Sequence, residues 1–481
     1  MANSIMKLSV RDVLQTPSVW ITIILFLGFV FAPGAADVAA IKQGVETGFA
    51  GGKLVRVLTV LLACLIALTL LFHNNVVNKL LKGNLGIVFS FSCLAFLSVV
   101  FSELKTMTIY KSFEMVVALL IAATLYRQND PYKNSIKYLV GIFWLYIITA
   151  IGVYIQLAYF GPGAYKQVHS TPLLSFMLSS KYPPLAANSL GLLGAFIAMY
   201  GLYLLHKYDV RKMRIMFIGL FIGFLGGSLI ILSYTRSVMV FTLLAAFIFL
   251  YYRRSFLILS VAIISMLAVL TVDDTRSLLE RHSKRGDSVQ NIETLSSRSI
   301  FWKSILERDM LRLMVGNGYA TGTLFQSYSN AHNRGKIFKA RNAHNSIFEI
   351  INSVGIIGAI IWIALILRIL MQLIKHHYRS RQIINDDERL FHLLITCVFI
   401  LCALRSFMNS TFVYLDYFLP FLLAVSVYAD SLAGKRKSAC VMVDDNSEPD
   451  SSEISMGSSG VLNRGRGPML LGLCRSHQKT E

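Results

Sequence analysis

Apolar runs of roughly 15 to 24 residues recur along nearly the whole chain, broken by short polar connections. About 20 apolar residues carry a helix across the ~30 Å hydrocarbon core of a bilayer. Within such runs the backbone must be helical, because an open strand leaves its hydrogen-bonding groups unsatisfied in lipid. The pattern predicts about twelve spans, at 18–32, 54–72, 85–101, 112–126, 138–158, 186–205, 215–232, 237–251, 256–271, 347–370, 390–405 and 412–430. The expected fold is all-α, a polytopic transmembrane helical bundle with one large loop that contains short amphipathic helices. Its parts are residues 1–271 with about nine spans, the loop 272–345, residues 346–430 with about three spans, and a tail 431–481.

Composition agrees with a membrane protein. Of 481 residues 55% are hydrophobic and 15% charged, the mean hydropathy is +0.59, and the formal charge is nevertheless +20. An ordinary soluble protein is excluded. The basic residues set the orientation, because Lys and Arg concentrate in cytoplasmic loops. With the N-terminus inside, the inner connections hold residues such as Lys79, Lys82, Arg127, Lys207, Arg211, Arg253, Arg254, Lys375 and Arg389. The outer ones hold fewer, namely Lys42, Lys53, Lys105, Lys111, Lys166, Lys181 and Arg236. This puts the large loop on the far side of the membrane and the tail in the cytoplasm. The start, Lys7 and Arg11 before an apolar run ending Ala32-Pro33-Gly34-Ala35-Ala36, also fits a cleaved signal peptide without changing the other helices. The tail mixes Ser, Gly and charge in the manner of a disordered segment.

Chemistry is narrowed by what is missing. The six cysteines form no Cys-x-x-Cys pair, so neither a structural disulfide nor a zinc site is expected. His376 and His377 fit a solvated basic loop, and no P-loop pattern calls for ATP. No metal and no cofactor are expected. The large loop carries twelve basic residues against seven acidic ones. It should attract anions, phosphorylated lipids or acidic glycans rather than nucleic acid, which a loop facing away from the cytoplasm does not meet.

Three places in this half of the chain set ionisable groups where burial makes them costly. Arg236 lies in the tight connection Leu232-Ser233-Tyr234-Thr235-Arg236-Ser237. Its fork matches a phosphate bidentately, with interfacial snorkelling as the simpler alternative. Residues 297–314 have helical spacing, with Trp302, Leu306, Met310 and Leu313 on one face, Ser297 as N-cap and Gly316 as stop. Arg298, four residues before Trp302, projects from the apolar side, while Lys303, Glu307 and Arg308 form the polar side. Third is Arg341-Asn-Ala-His344-Asn345-Ser346, at the mouth of the helix that follows. Ser346 and Glu349 have capping-box spacing. His344 precedes the positive end of the helix dipole, which disfavours the imidazolium and leaves a neutral base. A second Asn-Ala-His-Asn, at 330–333, lacks the helix behind it. Gly355 and Gly358 allow close helix packing.

These residues in this order resemble a known family. An arginine at a helix junction (Arg236), a large loop with Arg298-x-x-x-Trp302, then His344-Asn345, nine residues and Gly355-x-x-Gly358 are similar to the O-antigen ligase and Wzy-type polysaccharide polymerase superfamily of bacterial envelopes. The likeness covers about residues 180–370 in motif and the whole chain in topology. It implies a metal-independent, inverting glycosyltransferase of the inner membrane. Such an enzyme moves a glycan from undecaprenyl diphosphate to the hydroxyl of an acceptor glycan or glycolipid at the periplasmic face. Carried over by position, Arg236 and Arg298 would hold the diphosphate and His344 would activate or position the acceptor. Asn345, Arg341 and Trp302 would line the substrate. Partners would be the lipid-linked glycan, the acceptor, membrane lipids and other polysaccharide-assembly proteins. A polymerase of exopolysaccharide or O-antigen repeats is the first reading, and a ligase onto lipid A core the second. A lipid-linked glycan transporter or flippase is the alternative of another class. The spans argue against it: they show no internal repeat and are nearly free of charge, apart from Glu114 and Asp416.

Overall fold

The computed structural model describes residues 10–31, 52–127, 130–160, 178, 180, 185–207, 213–233, 235–255, 298–321, 344–379, 386–409, 411–413 and 417–445. They form α1 (Val10–Leu14), α2 (Pro17–Phe31), α3 (Gly52–His73), α4 (Gly83–Leu97), α5 (Lys105–Ala123), α6 (Pro131–Phe160), α7 (Ala187–Lys207), α8 (Met213–Leu232), α9 (Arg236–Tyr252), α10 (Arg298–Leu306), α11 (Met310–Val315), α12 (Ser346–Arg379), α13 (Asp386–Ser406) and α14 (Leu419–Asp445). Short 3-10 turns extend some of them. Among the described residues there is no β-sheet, only an isolated bridge between Ser180 and Leu185. Among the described residues eight helices are long and apolar enough to cross a membrane, and Pro17–Gly28, Arg236–Tyr252 and Leu419–Leu432 are shorter apolar ones. Eleven of the twelve expected spans coincide with these helices, and the ninth, 256–271, lies outside the described residues. Asp416, expected in the last span, also lies outside them, and that helix begins at Leu419.

The bundle is sorted by what its surface must meet. Only 28% of the apolar window in α3 is buried against other helices, and residues such as Leu58, Leu65 and Phe72 point outward. In α7 and α13 the figure is 72%. Outward apolar side chains have no driving force to hide when the surroundings are hydrocarbon, so packing must come from shape and from polar contacts. Shape serves α7 and α8. A Cβ on Gly194 would stand 2.7 Å from Gly226 O, and one on Gly201 would stand 2.5 Å from Gly223 N, so bare backbone meets bare backbone. Aromatic side chains fill the centre, with Tyr146, Phe196, Phe418, Phe143 and Phe421 meeting edge-on or tilted.

Polar side chains inside the bundle are tied to each other. Fully buried Glu114 is held by Arg56 at 2.7 Å and Lys111 at 2.8 Å. At one end of the bundle Asp430 accepts from Asn84 N–H at 2.6 Å and from Gln372 Nε2 at 3.1 Å, and Gln372 accepts from Asn84 Nδ2 at 2.8 Å. His392 sits nearby with Nδ1 3.1 Å from Tyr428 Oη and Nε2 3.0 Å from Leu373 O. His376 and His377, expected in a solvated loop, belong to the last turns of α12 and pack against His392, because that helix runs nine residues past the expected span end at 370. The candidate site lies at the opposite end.

Candidate functional site

Three connections meet at that end: the turn before α9, the segment α10–α11 with the loop to Thr321, and the turn before α12. The start of α12 is stapled to the residues that follow α13. Asn345 caps the helix, its Oδ1 accepting from Ile347 N–H at 2.9 Å and Phe348 N–H at 3.3 Å, while its Nδ2 donates to Phe407 O at 3.0 Å. Ser346 Oγ lies 3.0 and 2.9 Å from the carbonyl oxygens of Asn409 and Thr411 and accepts from Thr411 N–H at 2.9 Å. The expected Ser346–Glu349 capping box is therefore displaced by one residue. Asn is an equally good cap, and Ser346 is drawn to a different set of carbonyls. Glu349 is buried one turn further on.

His344 is half-buried immediately before this cap, with φ at +52°. Phe412, across the Ser346–Thr411 contact, has φ at +68° and is fully buried. A histidine tolerates the left-handed region better than most residues, but a phenylalanine there is an outlier that surrounding contacts must hold. Strain of this kind gathers at the junction that aims the imidazole.

A buried guanidinium joins the His344 corner to the Arg236 corner. Arg405, at the last turn of α13, is 2% exposed. It donates to Thr411 Oγ1 at 3.3 Å and to the Asn188 carbonyl in the first turn of α7. Thr235 Oγ1 lies 3.4 Å from Ala187 O and 3.5 Å from Asn188 Oδ1. Arg236 follows Thr235 as the exposed first residue of α9. A polar line thus runs from the Arg236 turn through Asn188, Arg405, Thr411 and Ser346 to His344, so residues 108 positions apart share one rim.

The expected helix over 297–314 is two helices. Asp309 breaks it, because its side chain accepts from Arg312 N–H at 2.9 Å and starts a new turn. Gly316 does end α11, with φ at +77°. Trp302 stacks on Phe348 of α12, with ring centres 5.0 Å apart and planes within 4°. Ile305 is buried between Trp302, Phe348 and Ile351. The helix that opens with Arg298 is thereby fastened to the first turn of α12, although the Arg298 side chain itself and Arg341 lie outside the described residues. Lys303 and Glu307 form an exposed pair at 3.5 Å. Arg308, expected beside them on the polar side, is instead half-buried and donates to Asn352 Oδ1 of α12. Burial and the nearby charge of Arg312 bring its pKa down to about 10, with Asp309 opposing.

Gly355 has a role that packing alone does not describe. It has φ +85° and ψ 178° and kinks α12. A Cβ at this position would stand 1.8 Å from Met314 O, so α11 occupies the break. The carbonyls of Asn352 and Ser353, deprived of helical partners, accept from Asn317 N–H at 2.9 Å and Gly318 N–H at 3.0 Å. Gly358 is ordinary helix. The nine residues between Asn345 and Gly355 therefore measure a short helical segment, about 14 Å at 1.5 Å per residue, with His344 at one end and the docked loop at the other.

Arg405, Asn352 and the Arg308–Arg312 pair escape a reading by sequence. Arg405 had a signal, an ionisable residue at the edge of the apolar span 390–405, but its partners Asn188 and Thr411 carry no pattern. No curated protein matches this chain. Residues 218–363, under a third of the chain, match the family model described as O-Antigen ligase, and that stretch takes in Arg236, Arg298, Trp302, His344 and the Gly355 kink. Across residues 218–363 the chain carries a domain of the O-antigen ligase family, which supports the O-antigen ligase and Wzy-type superfamily.

Proposed function

We propose that this chain transfers a glycan from undecaprenyl diphosphate to the hydroxyl of an acceptor sugar, at the periplasmic rim of the bacterial inner membrane. The observation that carries the reading is the polar line that fixes the Arg236 turn and His344 on one rim, inside a stretch that matches the O-antigen ligase family. In the step, His344 takes the proton of the acceptor hydroxyl as the new bond to the anomeric carbon forms. The bond from that carbon to the diphosphate breaks with inversion, and the diphosphate leaves on its lipid carrying the released electron pair. Arg236 and Arg298 meet the charge that grows on the leaving group, where fixed cations in a partly dry site lower the barrier. The donor is already activated, so neither metal nor cofactor enters the scheme. Arg341, Asn345 and Trp302 line the acceptor side; Asn345 acts by fixing the turn that aims His344, and Trp302 by closing α10 onto α12.

Polymerisation of exopolysaccharide or O-antigen repeats is the first reading. Ligation onto lipid A core is the second, favoured by the description of the matching family. A deletion strain complemented with wild type or His344→Ala separates them. Loss of at least ~100-fold in product is expected for a general base. Single repeats on their final carrier identify a polymerase, and long chains left on undecaprenyl diphosphate identify a ligase. Unchanged glycans with correctly inserted protein would remove His344 from the mechanism.

A further inference from the structure

Beside the kink of α12, two guanidiniums stand together that the scheme above does not use. Arg308 Nη1 donates to Asn352 Oδ1, which also lies 3.2 Å from Asn317 Nδ2. Arg312 Nη1 donates to Asn317 Oδ1 and to Phe101 O, each at 3.0 Å. Both arginines are half-buried, and each spends one nitrogen of a fork that has five N–H donors. Among the described residues neither meets a carboxylate at ion-pair distance. Asp309, between them in sequence, spends Oδ1 on the backbone N–H of Arg312.

We propose that Arg308 and Arg312 form a second oxyanion subsite, which takes a phosphoryl group through their remaining N–H donors. Neutral side chains would serve to pin Asn352 and Asn317. Two like charges side by side in a half-dry place cost energy that an anion between them returns, and the planar fork suits phosphate oxygens. The subsite lies seven residues along α12 from Asn345, about 10 Å down the same short helical segment. Trp302 and Phe348 lie between. A membrane-anchored diphosphate and a bilayer headgroup share this chemistry. Assignment to the donor's diphosphate rests on the proposed function, whereas oxyanion binding does not.

The test uses full-length protein in detergent and in phosphatidylcholine nanodiscs, titrated with inorganic pyrophosphate and with undecaprenyl diphosphate at two salt concentrations. Variants are Arg308→Gln, Arg312→Gln and their double, with exposed Lys303→Gln as control, and thermal unfolding is followed in parallel. Each single change is expected to weaken binding about 10-fold and the double at least about 30-fold, with a shallower salt dependence and Lys303→Gln unchanged. Should the double variant not fold, the Arg308→Lys, Arg312→Lys protein replaces it, with about 5-fold weakening expected from loss of the fork. Wild-type affinity in the folded double variant, whatever its melting temperature, would reduce both arginines to structural pins and end the proposal. In a parallel arm the same variants are compared for binding of phosphatidylglycerol nanodiscs, and weakening confined to that arm keeps the oxyanion site and moves its ligand to the bilayer. Because binding is read without turnover, failure here leaves the His344 scheme standing, and an active His344→Ala leaves this site standing.

Discussion

The two ends of this bundle treat polar groups differently. At the His392 end the groups are closed on each other. Asp430, Asn84 and Gln372 form a ring of hydrogen bonds, and both nitrogens of His392 are taken by Tyr428 and Leu373. At the His344 end the polar side chains chiefly grip backbone carbonyls freed by turns and a kink. There Arg236 is exposed, and Arg308 and Arg312 keep donors in reserve. A ring whose members bond chiefly to one another holds helices together. A rim that spends its hydrogen bonds chiefly on the main chain and leaves N–H donors of Arg308 and Arg312 in reserve is equipped to receive something.

That contrast can be broken from its strongest point. Gly355→Ala places a Cβ 1.8 Å from Met314 O at a backbone angle suited to glycine, which should cost about 3 kcal/mol or more and undock α11 from α12. Product formation should fall by about 100-fold, as expected when reacting groups are displaced by around 1 Å. Gly152→Ala, where a Cβ meets nothing within 4 Å, should leave both nearly unchanged. Equal effects of the two changes on melting and product would show that the kink does not organise the rim.

Arg405→Met comes next. It removes bonds to Asn188 and Thr411 from a buried guanidinium, at about 3 kcal/mol. With the rim loosened, kcat should drop about 30-fold while the KM for lipid-linked donor stays within about 2-fold. Arg405→Lys should restore part of that rate. A loss in KM alone would make Arg405 a binding group rather than a spacer between the two corners. The smallest effect belongs to the other end: Asp430→Asn should cost about 1 kcal/mol in thermal unfolding and leave the rate within about 2-fold. A large rate loss there would erase the distinction between the ends.

Much of the fold was legible along the chain, and the reason is length. A run such as 215–232 can cross a bilayer in one way only, as a helix whose backbone satisfies itself, and α8 occupies that run. Helix ends were less legible. Asn345 and Ser346 are both good caps by type, and the choice between them was made by the carbonyls of Asn409 and Thr411, which arrive from 63 and 65 residues away. The 297–314 helix broke because Asp309 found a backbone N–H, a local event that apolar spacing does not register.

By itself, then, the sequence determined that this is a helical membrane protein and that His344, Arg298 and Arg236 belong to one motif order, because hydrophobic length and residue spacing are local quantities. Only the tertiary structure decided that Arg405 bridges the Arg236 and His344 corners, that Gly355 is a docking break, and that Arg308 turns inward to Asn352. Each of those depends on which unpaired carbonyl or amide a distant segment brings within reach. Hydrogen bonds of that kind have a range of about 3 Å and no periodicity.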